Sequence, residues 1–203
     1  MRLPNSTKSN SFNKNHPDAV NRARKFIKKI KRERGIYAVA HFDLPESTKR
    51  MIRDQQSTVT EMINHNKICR NLVEENGGVV IKELGDAILA TFDNTPFACQ
   101  SALNVIHNFK KYGKGMHTKV TITAGTIEKI STTKEPDIYG VPVNMCNRMS
   151  KYASIDSILI EEDRFQDIQG WLPNNKKIKY HKPKQEKLAD FGLHNLRKIA
   201  LNC

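Results

Sequence analysis

Apolar side chains along this sequence recur with two different spacings, and the switches between them mark out its elements. Ile36 to Phe42 is a β-favouring run, Ile-Tyr-Ala-Val-Ala-His-Phe, that ends on Asp43 and the turn-forming Leu44-Pro45-Glu46-Ser47-Thr48. Such a run predicts a buried strand that hands over to a helix capped by Ser47 or Thr48. From 48 to 75 the spacing becomes helical, through Met51, Ile52, Val59, Met62, Ile63, Ile68, Leu72 and Val73, until Asn76-Gly77-Gly78 stops it. Val79–Leu84 and Ala87–Phe92 are two apolar runs hinged on Gly85-Asp86, which predicts a hairpin with a carboxylate at its tip. Phe97–Tyr112 reads as a second amphipathic helix ended by Gly113, and Thr118–Ile127 as a strand alternating Val120, Ile122 and Ala124. The order strand, helix, two strands, helix, strand predicts an α+β fold with a ferredoxin-like βαββαβ core.

Additions to that core follow at the C-terminal side. A polar loop spans 128–137, then a helix Val141–Ala153, a strand Ser157–Ile160 and a short helix Glu162–Ile168. Asn174–Lys187 is lysine-rich and reads as a solvated loop or edge hairpin, and Leu188–Leu201 as a closing strand. Ahead of the core, residues 1–16 are rich in Asn, Ser and Lys and read as a disordered lead-in. Residues 17–35 read as a basic helix with a narrow apolar stripe (Val20, Ala23, Phe26, Ile27, Ile30), ended by Gly35. Residues 36–203 form the expected main domain.

Charge sharpens the picture. The 203 residues carry 34 Lys and Arg against 21 Asp and Glu, a net +13, which favours polyanionic partners. A triphosphate, an anionic surface and nucleic acid all qualify. The basic stretches hold few stacking aromatics, so no specific nucleic-acid partner is expected. Cys69, Cys99, Cys146 and Cys203 are widely spaced, without a Cys-x-x-Cys pair, so neither zinc nor a disulfide framework is indicated. No apolar run approaches the roughly 18 residues of a membrane span and no signal-peptide core is present; a soluble cytoplasmic protein without a transmembrane segment is expected.

The candidate chemistry centres on Asp43 and Asp86. In a ferredoxin-like core the strand end and the hairpin tip can meet, and two adjacent carboxylates repel unless a divalent cation neutralises them. Phe42-Asp43-Leu44 with Ser47-Thr48, then Lys82-Glu83-Leu84-Gly85-Asp86, resemble the metal-binding segments of class III nucleotidyl cyclases. Asp137-Ile138-Tyr139-Gly140-Val141-Pro142-Val143-Asn144-Met145-Cys146-Asn147-Arg148 resembles that family's Asp-hydrophobic-aromatic-Gly-x-x-Val-Asn-x-x-x-Arg signature, spacing included. The resemblance runs from about Tyr37 to Ile160.

What the resemblance implies can be carried over position by position. Asp43, Asp86 and the Leu44 carbonyl would hold two Mg²⁺ or Mn²⁺. Phe42 and the stretch Leu44, Pro45, Glu46, Ser47 and Thr48 would bind the nucleotide, with the amides from Leu44 to Thr48 cradling the β- and γ-phosphates. Asn144 would orient the ribose and Arg148 would steady charge on the α-phosphate. Lys82 and Asp137 stand where adenylate cyclases of this family carry their base-reading pair. The family's sites form between two head-to-tail subunits, so a homodimer with two shared sites is implied. The compact His41-Phe42-Asp43-Leu44-Pro45-Glu46-Ser47-Thr48 stretch is similar to the stand-alone pyrimidine cyclases of bacterial Pycsar anti-phage systems. The implied substrate is then a nucleoside triphosphate, UTP ahead of CTP, giving cyclic UMP for a downstream cyclic-nucleotide receptor, with His41 or Tyr139 filling the space of a purine. Adenylate cyclase is the alternative, and a catalytically silent nucleotide-binding regulator a further one.

Overall fold

β1 (Lys31–Asp43) is hydrogen-bonded along both edges and sets the register of everything around it. The computed structural model describes residues 20–22, 24–25, 30–113, 115–131, 136–172 and 177–201. After β1 come α1 (Ser47–Arg53), α2 (Gln55–Glu75), β2 (Val79–Glu83), β3 (Ala87–Phe92), α3 (Thr95–Tyr112) and β4 (Lys119–Ser131). These supply the expected βαββαβ core. β5 (Pro136–Tyr139), α4 (Val141–Met149), a 3₁₀ turn (Ser150–Tyr152), β6 (Ser157–Glu161), α5 (Glu162–Ile168), β7 (Ile178–Tyr180), β8 (Lys184–Leu188) and β9 (Gly192–Leu201) complete the chain. The main sheet runs β2-β3-β1-β4-β6-β9-β7, with β5 added to β4 and β8 to β9, and only β4–β6 is parallel.

Alternation along β1 decides which face does what, because successive side chains of a strand point to opposite sides. Ala38, Ala40 and Phe42 join Ile88, Ala90 and Phe92 of β3 and Val120 and Ile122 of β4 in a core roofed by Cys69 and Val73 of α2 and a row from Ala98 to Phe109 of α3. Val39 points the other way, toward Ile81, Leu89 and Cys146, and α4 covers that side. Met145, Met149, Leu159, Leu188 and Leu196 extend the second face toward β8 and β9. The site residues stand where this second layer stops covering the sheet.

Several local expectations change. The helix expected across 17–35 is present at 20–22 and 24–25, but from Lys31 the chain is already strand and Gly35 lies within β1. The reason is strand pairing: β4 runs on to Ser131 and its edge takes up Lys31–Arg34, with Arg34 opposite Glu128 and Glu33 opposite Lys129 in register. Lys129 also sits over the Tyr37 ring at 3.5 Å, and the Tyr37 hydroxyl donates to Glu33 at 2.6 Å. That continuation turns the expected loop at 128–137 into a hairpin with β5, although 132–135, like the 1–16 lead-in, lie outside the described residues.

The single helix expected from 48 to 75 is two, broken at Asp54, whose carboxylate accepts from the Ser57 amide as the cap of α2. The N-cap of α1 is Glu46 rather than Ser47 or Thr48, and it holds a left-handed φ of 60°. The closing strand starts at Gly192 instead of Leu188, because Ala189–Phe191 turn the chain between β8 and β9.

Gly78 provides a direct check of how α2 meets β2. A Cβ there would lie 2.7 Å from both Val73 Cγ1 and Phe92 Cζ. Gly78→Ala is expected to lower unfolding free energy by about 1–3 kcal/mol, the usual cost of overpacking, read as a shift of the urea midpoint; an unchanged midpoint contradicts this packing.

Candidate active site

Asp43 and Asp86, expected to meet, stand on neighbouring segments at one end of the sheet. Asp43 is the last residue of β1, paired in register with Ala87 of β3 and Lys119 of β4. Asp86 precedes Ala87 at the hairpin tip, which Gly85 turns with a φ of 68° that glycine adopts without strain. The Leu44 amide donates to the Asp86 carbonyl at 3.0 Å and ties the two segments together. Ser47, at the start of α1, donates its hydroxyl to the Asp86 carboxylate. Lys119 Nζ lies 2.6 Å from Asp43 Oδ2, with both side chains about four-fifths buried. Sequence reasoning missed Lys119, because only the β1–β4 register puts it opposite Asp43.

The donors that the family resemblance implies are all hard oxygens: two carboxylates and the Leu44 carbonyl. Among the described residues no group of three or more His, Cys, Asp or Glu gathers to cage a metal. Two carboxylates alone fit Mg²⁺ or Mn²⁺, which are commonly held by one or two protein carboxylates with substrate phosphates completing the shell. The partners that Asp43 and Asp86 already have, an ammonium and a hydroxyl, are what two crowded carboxylates attract.

Three of the expected nucleotide contacts change. Phe42, Leu44 and Pro45 are buried, so their side chains belong to the fold and not to a ligand surface. The amide cradle is shorter than Leu44–Thr48, because the Leu44 N–H is committed to Asp86 and Pro45 has none. Glu46, Ser47 and Thr48 keep N–H groups at the open start of α1. The Glu46 side chain is drawn to Lys49 at 2.8 Å, which holds its carboxyl below the usual range.

The base-reading candidates do come together. The β4–β5 hairpin brings Asp137 within 2.7 Å of Lys82 Nζ on β2. Asp137 also accepts from the Ile138 amide at 2.8 Å and from the Tyr139 hydroxyl at 3.1 Å. Across β2, β3 and β1, register aligns Lys82, Leu89 and His41 in one row on one face. His41 is 7% exposed and its Nδ1 has no hydrogen-bond partner among the described residues; burial lowers its pKa although Asp43 and Asp86 oppose that shift.

Asn144 and Arg148 are one turn apart on the exposed side of α4. Arg148 pairs with Asp190 of the β8–β9 turn at 3.2 Å, and nothing within the described chain joins either residue to Asp43 or Asp86. The expected site residues thus stand in two separate groups, one at the β1–β3 end and one on α4.

The Lys82–Asp137 pair makes a pH prediction. Burial pushes the Asp137 carboxyl up, but Lys82, the Ile138 amide and Tyr139 outweigh it, and the net shift is downward. A depressed folded-state pKa stabilises above the unfolded carboxylate value, about 3.9, and that stabilisation is lost as pH falls through the folded value. Lys82→Met is expected to raise the Asp137 midpoint seen by carboxyl ¹³C NMR; an unmoved midpoint contradicts the pairing.

No protein-family model matches the chain. It is similar to an adenylate cyclase of Streptomyces coelicolor, 27% identical over 125 residues that make up 61% of this chain and 32% of the relative. The chain thus spans about a third of the length of that curated relative. Among solved structures it is similar to the guanylate cyclase domain of RhGC from Catenaria anguillulae in complex with GTP, with TM-score 0.70, 17% identity, and coverage of 85% of this chain and 100% of that one. An adenylate/guanylate cyclase/hydrolase from Silicibacter pomeroyi gives TM-score 0.69, 19% identity, and coverage of 85% and 100%. The chain carries the mixed α+β fold of the class III cyclase catalytic domain.

Proposed function

We propose that the chain is a nucleotide cyclase that converts a nucleoside triphosphate into its 3′,5′-cyclic monophosphate and diphosphate. The observation that carries this reading is the meeting of Asp43 and Asp86, tied through the Leu44–Asp86 main-chain bond. Phosphoryl transfer depends on positioning and charge neutralisation, and this chain offers residues for both. Two divalent cations, Mg²⁺ or Mn²⁺, would supply Lewis-acid neutralisation of the phosphates when held by Asp43, Asp86 and the Leu44 carbonyl. Lys119 and the amides of Glu46, Ser47 and Thr48 face the β- and γ-phosphates. Asn144 holds the ribose so that its 3′-oxygen points at the α-phosphorus. The new bond joins O3′ to that phosphorus, the α–β bridging bond breaks, and diphosphate leaves as the hydroxyl proton is lost. Arg148 balances the charge that develops on the α-phosphate.

Within one chain Asn144 and Arg148 stand apart from the carboxylates. The site is therefore completed by a second copy, and a symmetric homodimer carries two sites.

Among bases, we favour a pyrimidine, UTP first, with the cyclic product signalling to a receptor in anti-phage defence. Buried His41 in the row of Lys82, together with Tyr139 against Asp137, adds bulk beside the base-reading pair. A second reading, adenylate cyclase, is supported by the intact Lys82–Asp137 pair and by the name of the Streptomyces coelicolor relative.

Incubation with ATP, GTP, CTP and UTP in equal amounts with Mn²⁺, followed by mass analysis, tests both levels. Cyclic UMP as the main product is expected, and Asp43→Asn or Asp86→Asn should each lower turnover by at least about 100-fold. Dominant cyclic AMP would favour the second reading; turnover that survives in both variants would contradict the cyclase assignment.

A further inference from the structure

Beneath the two carboxylates lies a polar patch of α2 that a helix does not bury without cause. His65 is fully buried and Asn66 is 5% exposed, and Thr118, just before β4, is fully buried as well. Buried polar groups of this kind destabilise a fold unless they are hydrogen-bonded. Cys69 Sγ lies 3.7 Å from His65 Nε2 on the core side, and the oxygen and nitrogen partners of the patch lead toward the site. Asn66 Nδ2 donates to the Gly85 carbonyl at 2.9 Å, one residue before Asp86. That leaves its Oδ1 to accept from His65 Nδ1 at 3.1 Å. His65 Nε2 lies 3.2 Å from the Thr118 hydroxyl, which in turn lies 3.4 Å from the Asp43 carbonyl. With Nδ1 protonated, the single Thr118 proton is shared between Nε2 and that carbonyl.

The ends of this relay are fixed from outside. The His65 ring stacks on Phe109 of α3, with centroids 5.3 Å apart. Thr118 is held by Asp156: its amide donates to the Asp156 carboxylate at 3.3 Å, and its carbonyl accepts from the Asp156 amide at 2.7 Å. Burial lowers the His65 pKa despite Asn66, Asp43, Asp86 and Glu61, which all act to raise it. Burial thus acts in favour of the neutral ring that the relay uses. The hairpin tip, by contrast, turns on Gly85, and its carboxylate is of the same charge as Asp43.

We propose that Asn66, His65 and Thr118 are positioning residues, a buried relay that joins the Gly85 carbonyl to the Asp43 carbonyl and holds the two carboxylates at the spacing a divalent cation needs. This rests on the cyclase reading of Asp43 and Asp86 and adds three residues that touch neither substrate nor metal. Like charges splay apart when their backbones are free; the relay ties both backbones to one helix. Groups that orient ligands from behind typically change metal affinity by about 10–100-fold.

The test is Mn²⁺ binding, read by loss of the free-ion EPR signal, with 2′,3′-dideoxy-UTP or dideoxy-ATP present as a non-cyclisable ligand. Thr118→Val and Asn66→Leu, which keep shape and remove the polar atoms, should each weaken Mn²⁺ binding by about tenfold or more, with circular dichroism and melting confirming the fold. Thr118→Ser, which restores the hydroxyl, should stay within about twofold of wild type, and the double variant should lose less than the product of the single losses because both sit in one relay. Should Asn66→Leu not fold, the Thr118 pair decides alone. Wild-type affinity in Thr118→Val overturns the relay while leaving the cyclase reading intact. Binding that is absent in the wild type, or unchanged in Asp86→Asn, overturns the metal reading and the relay with it.

Discussion

The register of β1 between β3 and β4 is the constraint on which the rest depends. One slip of one residue would turn Ala38, Ala40 and Phe42 out of the core and carry Asp43 to the opposite face. Small residues at 38 and 40 let α2 and α3 come close to the sheet, and Phe42 fills the space beneath its end. The same alternation sends Val39, His41 and Asp43 to the other side, where α4 covers Val39 and stops short of Asp43. Core packing and site chemistry are thus two faces of one strand.

A second theme is charge kept under control. Asp43 and Asp86 sit at adjacent strand ends, an arrangement that would be unfavourable without Lys119, Ser47 and the main-chain tie from Leu44. Lys119 is the counterion that balances Asp43. The excess of positive charge over the whole chain acts in the same direction at longer range.

Much of this was legible in the sequence because period and punctuation agreed. The runs around Gly85-Asp86 and the stop at Asn76-Gly77-Gly78 marked the hairpin and its helix, Asp43 and Asp86 stood out as carboxylates at element ends, and Lys82 and Asp137 were marked by the family resemblance. What was hidden depended on pairing partners. Lys31–Arg34 carries basic residues at a spacing that suits a helix, and only β4 residues nearly 100 positions away make it strand. Pro45 without an N–H and the Leu44 amide spent on Asp86 narrowed the phosphate cradle for the same reason: a hydrogen bond has two ends, and a sequence displays one. His65, Asn66 and Thr118 looked like ordinary polar positions until tertiary structure joined them.

The proposed reaction requires a site assembled from two copies. The direct test mixes Arg148→Ala protein, whose α4 half-site is broken, with Asp43→Ala protein, whose carboxylate half-site is broken. Each alone should be inactive. After subunit exchange the mixture should recover about a quarter of wild-type turnover per mole of chain, since half the dimers are mixed and each of those has one intact site of two. No recovery, in a sample shown by mass or fluorescence to have exchanged subunits, would contradict a shared site.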